Sequence, residues 1–265
     1  MPPDIIAQLA TSLGRRDEVP NQQLAAKIVG NNEIDGINEL VANLENKNKG
    51  IRSDCIKVLY EVGYTNPKMI AGHTDAFLKL LDGKDNRLQW GAMIALGCIV
   101  KEKPAEIFEA LPTILNAANK GSVITRDHSV NILISLSATK SYAHMAFPLL
   151  LEQILRCPTN QLPMYAEKAL PVVNAANRDH FVKVVVSRLD EVKKESQRKR
   201  MEKLIRTVTR SMEPRIRRIR SRFHREGCEL SGRCLWRGAS GRACRRGDSL
   251  LGELCAARED AIRST

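Results

Sequence analysis

The sequence predicts an all-α chain whose helical pairs stack side by side into a right-handed α-α superhelix. Three observations carry this. Apolar and small residues recur with a period of 37 residues. Each period holds two stripes of helical spacing. Gly-containing or polar breaks such as "ENKNKG", "LDGKDN" and "ANKGS" close each period.

In chain order, residues 1–19 are expected to form an N-terminal helix or cap. Residues 20–196 are expected to form the stack, with about five helical pairs. The first pair is the less regular "PNQQLAAKIV" and "EIDGINELVANL". From residue 49 on, the first helix of each unit carries three rows 37 residues apart. They are Cys55, Ala92, Ser129, Ala166; Leu59, Leu96, Leu133, Leu170; and Val62, Ile99, Leu136, Val173. These rows occupy i, i+4 and i+7 of one helix face.

A second stripe follows half a period later: Ile70, Ile107, His144, Phe181; Phe77, Ile114, Leu151; and Leu81, Ala118, Leu155, Val192. Pro67 and Pro104 are placed where second helices begin, since a first turn has no use for the missing N–H. Residues 197–211 carry Met201, Leu204, Ile205 and Val208 at i, i+3, i+4, i+7 and read as a closing helix. Helices apolar on one face cannot bury themselves in pairs, so stacking is the physical solution. A compact bundle would give stripes without a common period.

In "GIRSDCIKVL", "RLQWGAMIALG" and "ITRDHSVNIL" the pattern resembles the HEAT repeat, in which an apolar residue and Arg open the first helix ahead of a small residue and a Leu. Arg52 and Arg126 match that Arg, whereas Gln89 and Pro163 stand at the equivalent positions of the other two units. Asp82 matches the acid near the end of a second helix, and Asn119 replaces it one unit on. The resemblance implies a binding scaffold for proteins or nucleic acids, with second helices lining the concave face. Arg52 and Arg126 read as a structural ladder between repeats.

Composition narrows the function classes. Aromatic residues make up 4% of the chain, which argues against base-stacking platforms and for a core of small and aliphatic side chains. No apolar run approaches the roughly 20 residues of a membrane helix, and "MPPDIIAQLATSLGRRDE" lacks the charged and apolar regions of a leader. Cys55, Cys98 and Cys157 sit in apolar contexts typical of buried free thiols. A cytoplasmic protein without membrane association is therefore expected.

No nucleophile, base and orienter converge, no H-E-x-x-H pair is present, and there is no phosphate-binding glycine loop. His73, His128, His144, His180 and His224 are scattered, and His144 is expected to be half-buried and structural. The reading is non-enzymatic, with no cofactor and no metal. Some HEAT-like proteins act on alkylated DNA bases or attach bilins, and Trp90 and Asp127 are the residues that analogy would single out.

If second helices line the groove, Lys79, Asn116, Gln153, Asp190 and Asp82, Asn119, Arg156, Lys193 form two rows along it. The candidate partner-binding residues are thus Lys79, Asp82, Asn116, Asn119, Gln153 and Arg156. Side-chain amides there could pair with an extended peptide's backbone, or the rows could be ordinary solvated faces. The alternative partner is nucleic acid, including a base-repair role, through basic residues 193–222. Against it, Glu33, Asp35, Glu39, Asp54, Glu61 and Asp75 interleave with the lysines earlier in the chain.

Residues 212–265 change character. They hold 13 Arg and 7 acids, with no Lys or Asn, whereas 17 Lys and 15 Asn precede them. Cys228, Cys234, Cys244 and Cys255 lack the close pairing of zinc ligands. This tail reads as irregular or disordered, as an Arg/Gly arm or as a frame-shifted, non-native extension.

Overall fold

The computed structural model describes residues 4–210, and the readings of residues 212–265 lie outside the described residues. The chain divides into two units, Met1–Thr209 and Arg210–Thr265, and the first is the stack described here.

Among the described residues all regular structure is helical. The helices are α1 (Val19–Asn31), α2 (Ile34–Ala42), α3 (Lys49–Thr65), α4 (Thr74–Leu81), α5 (Asn86–Ile99), α6 (Pro104–Glu109), α7 (Leu111–Lys120), α8 (Val123–Ser137), α9 (Ala143–Arg156), α10 (Leu162–Ala169), α11 (Arg178–Ser187) and α12 (Glu195–Arg210). The pairs α1/α2, α3/α4, α5/α7, α8/α9 and α10/α11 stack in order, and α12 follows them. A short 3-10 turn, Ile6–Gln8, precedes α1 in place of an N-terminal helix.

The helix starts explain the period. Asn48, Asp85 and Ser122, spaced 37 apart, cap α3, α5 and α8 by accepting from the N–H groups of Gly50, Arg87 and Thr125. Each satisfies a first-turn donor that has no partner within its helix. The small row Cys55, Ala92, Ser129, Ala166 is fully buried, which lets neighbouring first helices approach closely. Gly91 marks the tightest approach: a Cβ there would lie 2.6 Å from Ile56 Cγ1.

Pro67 and Pro104 open short turns rather than the second helices themselves. Pro67 starts the 3-10 turn Pro67–Met69 and Pro104 starts α6, while α4 and α7 begin later. The period also fails in two places. In the fourth unit α10 stops at Ala169 and passes into the 3-10 turn Leu170–Val172, so Leu170 and Val173 are only half-buried. Pro171 allows no further α-helical N–H bond there.

In α9 the buried face is Ala146, Phe147, Leu150, Ile154, one residue off the expected register. His144 is consequently exposed, not half-buried, and Leu155 is 47% exposed. Pro148, inside α9, gives the physical reason. It leaves the His144 carbonyl without its helical donor, and turning this side outward lets water satisfy that carbonyl.

The two layers differ in spacing. First helices α1, α3, α5 and α8 lie against one another along much of their length, whereas second helices meet sparsely, α4 with α7 and α9 with α11. A stack spaced closely on one side bends toward that side. Burial agrees: Trp90, Asp127, His128 and Asn131, turned away from the core on α5 and α8, are half-buried, while Asp75, Lys79, Asn116 and Asn119 on α4 and α7 are exposed. The first helices α1, α3, α5 and α8 therefore make the more closely packed layer, whose solvent-facing side is called the inner face below; the sequence reading placed second helices there.

Candidate functional site

The six residues singled out from the sequence lie on second helices or at their ends, in the outer layer. Lys79, Asp82, Asn116, Asn119 and Arg156 are exposed there. Lys79 pairs with Glu45 at 2.6 Å and Arg156 with Glu152 at 2.8 Å. Gln153 leaves the row altogether: the register slip of α9 buries it to 8% exposure. No continuous groove-lining row of these residues forms.

The inner face carries a different set. At its N-terminal end Glu18, just before α1, bridges two first helices, with Oε2 at 2.7 Å from Lys57 Nζ on α3 and Oε1 at 3.2 Å from Arg87 Nη2 on α5. Lys57 also reaches Glu61. Burial opposes its charge, but the carboxylates of Glu18 and Glu61 and the Tyr60 hydroxyl outweigh burial and hold the ammonium above the usual lysine range. Glu18 is held below the usual carboxylate range, chiefly by its bond to Lys57.

Rings complete the cluster. Lys57 Nζ lies 4.9 Å from the Tyr60 ring centre, and the Arg87 guanidinium lies 4.0 Å from that of Trp90. Tyr60 meets Tyr64 at 5.9 Å and Trp90 at 6.0 Å. Tyr64 itself is 58% exposed.

Farther along, α8 and α10 are cross-linked on the same face. Tyr165 donates to Asp127 Oδ1 at 2.6 Å, and Lys168 donates to Asn131 Oδ1 at 3.1 Å. Burial and the Lys168 charge push His128 below the usual histidine range, against the opposing pull of Asp127. Burial pushes the thiols of Cys55 and Cys98 up to about 12, so thiolate nucleophiles are scarce at neutral pH. Among the described residues no group of three or more His, Cys, Asp or Glu is arranged to hold a metal ion.

The two ladder arginines behave differently. Arg52 donates to the carbonyls of Asn46 and Lys47 and reaches Asp85, the cap of the next first helix, at 3.5 Å. Gln89, at the equivalent position, does the same job without a charge, donating to the carbonyls of Leu81 and Gly83. The Arg126 side chain makes no hydrogen bond or ion pair among the described residues and lies near Tyr165 and Cys157. The buried Arg188 closes the end of α9 instead, donating to the carbonyls of Ile154 and Cys157.

Sequence reasoning missed Lys57, Tyr60, Tyr64, Arg87, Tyr165 and Arg188. The pair Asn131 and Lys168, 37 residues apart and bonded, was within reach of the same periodicity that revealed the core.

No family model matches the chain, and no curated protein does. Several solved structures are similar to it. An engineered protein is 16% identical with a TM-score of 0.50, covering 77% of this chain and 99% of its own. A designed armadillo repeat protein is 15% identical with a TM-score of 0.49, over 77% and 99% of the two chains. A second engineered protein is 16% identical with a TM-score of 0.44. At such identity the likeness concerns the fold: a helical-repeat solenoid.

Proposed function

We propose that this chain is a non-enzymatic, cytoplasmic HEAT-type scaffold that holds an extended segment of another protein along the face of its first helices. The observation that carries this reading is the run of rings, amides and charges on that face, Tyr64, Trp90, Asp127, Asn131 and Lys168, positioned by cross-links between neighbouring helices. Such groups can pair with peptide backbone and pack on side chains. Phosphate recognition needs a continuous basic strip, and here Glu18, Glu61 and Asp127 alternate with Lys57, Arg87 and Lys168.

The test is capture of peptides from a random library by the full chain and by two double variants. Asn131→Ala with Lys168→Ala, on the inner face, is expected to weaken capture by at least about tenfold. Lys79→Ala with Asn116→Ala, on the outer layer, is expected to leave it unchanged. The reverse pattern would return the site to the second helices.

A further inference from the structure

Within the inner face, the cluster around Trp90 is chemically one-sided. The indole Nε1–H of Trp90 and the hydroxyl of Tyr64 make no hydrogen bond among the described residues. Neither is sealed from solvent, because the buried side-chain polar atom without a partner among those residues is Ser137 Oγ. Arg87 spends Nη2 on Glu18 and holds its guanidinium carbon 4.0 Å from the Trp90 ring centre, with its other N–H groups available. The carboxylates alongside are already engaged, Glu18 by Lys57 and Arg87, and Glu61 by Lys57. The patch thus offers donors and ring faces and few open acceptors.

Its charge is balanced as well. Two carboxylates, Glu18 and Glu61, meet two cations, Lys57 and Arg87. An acidic or a basic peptide would gain little here, and a cationic side chain entering among the rings would meet Lys57 and Arg87 already stacked on two of them. A segment that supplies carbonyl acceptors, brings no backbone N–H and carries no charge fits best. Proline has no N–H, and a polyproline II helix makes no internal hydrogen bonds, so its carbonyls point outward for donors. Its pyrrolidine rings pack on aromatic faces, and ordering it costs little entropy.

We infer that the Tyr60, Tyr64, Trp90 and Arg87 cluster is a docking site for a proline-rich segment in the polyproline II conformation. This rests on the inner-face reading above and names the chemistry of its partner. Tyr64 provides an exposed ring and hydroxyl, Trp90 a ring edge and N–H, and Arg87 further donors to carbonyls. Tyr60, buried with Lys57 Nζ 4.9 Å from its ring centre, lies between the other two rings.

The experiment uses the full chain carrying Trp236→Phe, which leaves Trp90 as the sole tryptophan. Deca-proline, deca-lysine and deca-glutamate peptides are titrated while Trp90 emission is followed. Saturable change with deca-proline alone is expected. Tyr64→Ala should weaken it by at least about tenfold, and Tyr64→Phe, which keeps the ring, by about threefold. Tyr64 is exposed, so circular dichroism should show an unaltered fold.

Unchanged Trp90 emission at millimolar deca-proline, equal response to the charged peptides, or indifference to Tyr64→Ala each overturns the inference. If library peptides without proline are still captured, and lost in the Asn131→Ala, Lys168→Ala variant, only the proline specificity falls. If no peptide is captured, the inner-face reading falls with it.

Discussion

At the residue scale, the arginines separate by what they satisfy. Arg188 donates to two backbone carbonyls in a buried setting, and its removal strands them. Arg188→Ala is expected to lower stability by about 2 to 3 kcal/mol in urea denaturation. Arg52→Ala, at a half-buried site with a longer contact to Asp85, should cost about 1 kcal/mol. Arg126→Ala should stay within about 0.5 kcal/mol, since no side-chain hydrogen bond or ion pair is lost. A cost for Arg126→Ala equal to that of Arg52→Ala would restore it to the ladder.

His128 sets a pH dependence at the same scale. Its folded pKa lies below its unfolded one because burial and Lys168 disfavour the imidazolium. The unfolded chain therefore binds more protons as pH falls below about 6.5, and stability drops in that direction. The melting temperature should fall between about pH 7 and pH 5, and less so in His128→Asn. His73, lowered by burial, contributes in the same direction and should leave a residual slope. Glu18 acts separately, since its depressed pKa gives stability that is lost only at more acid pH.

At the scale of elements, two positions in helices pull opposite ways. Gly91 sits where α5 crosses α3, and a methyl group there meets Ile56 Cγ1, near the base of a fully buried side chain. Alanine gains up to about 1 kcal/mol of helix propensity but overpacks at a cost of about 1 to 3, so Gly91→Ala is expected to destabilise by about 1 kcal/mol. Pro148 is exposed in the interior of α9 and withholds a helical hydrogen bond. Pro148→Ala should raise stability by about 1 to 3 kcal/mol, measured by denaturant midpoint at constant slope.

At the scale of the whole molecule, the two faces of the stack divide the functional alternatives. Helix α12 buries Met201, Leu204 and Val208 and turns basic residues outward, several of them already paired: Arg198 with Asp190 and Glu202, Lys199 with Glu195, Arg200 with Glu167. Those pairs reduce the charge left for phosphate. Duplex DNA and RNA titrations of the chain ended after residue 210 are expected to show weak binding that vanishes near physiological salt. Micromolar binding persisting there would favour the nucleic-acid reading. No helix among the described residues is long and apolar enough to cross a membrane.

The sequence by itself determined the helical pairs, their period and the core rows, because one face of every helix must be apolar and the chain repeats that requirement every 37 residues. It also held the capping row Asn48, Asp85, Ser122 at that same interval, legible in hindsight from residue type alone. Which layer packs more closely was not legible. Both helices of a pair show an apolar stripe, and the difference lies in how closely successive helices approach, a property of packed volumes such as the small row at Cys55 and Ala92. The burial of Gln153 was hidden too, because it follows from the one-residue turn of α9 around Pro148. The cluster of Glu18, Lys57, Tyr60, Arg87 and Trp90 joins residues from 18 to 90 across three elements without a common spacing. Only the tertiary structure could bring it together, because charge pairing and ring stacking depend on distance in space and leave no periodic trace along the chain.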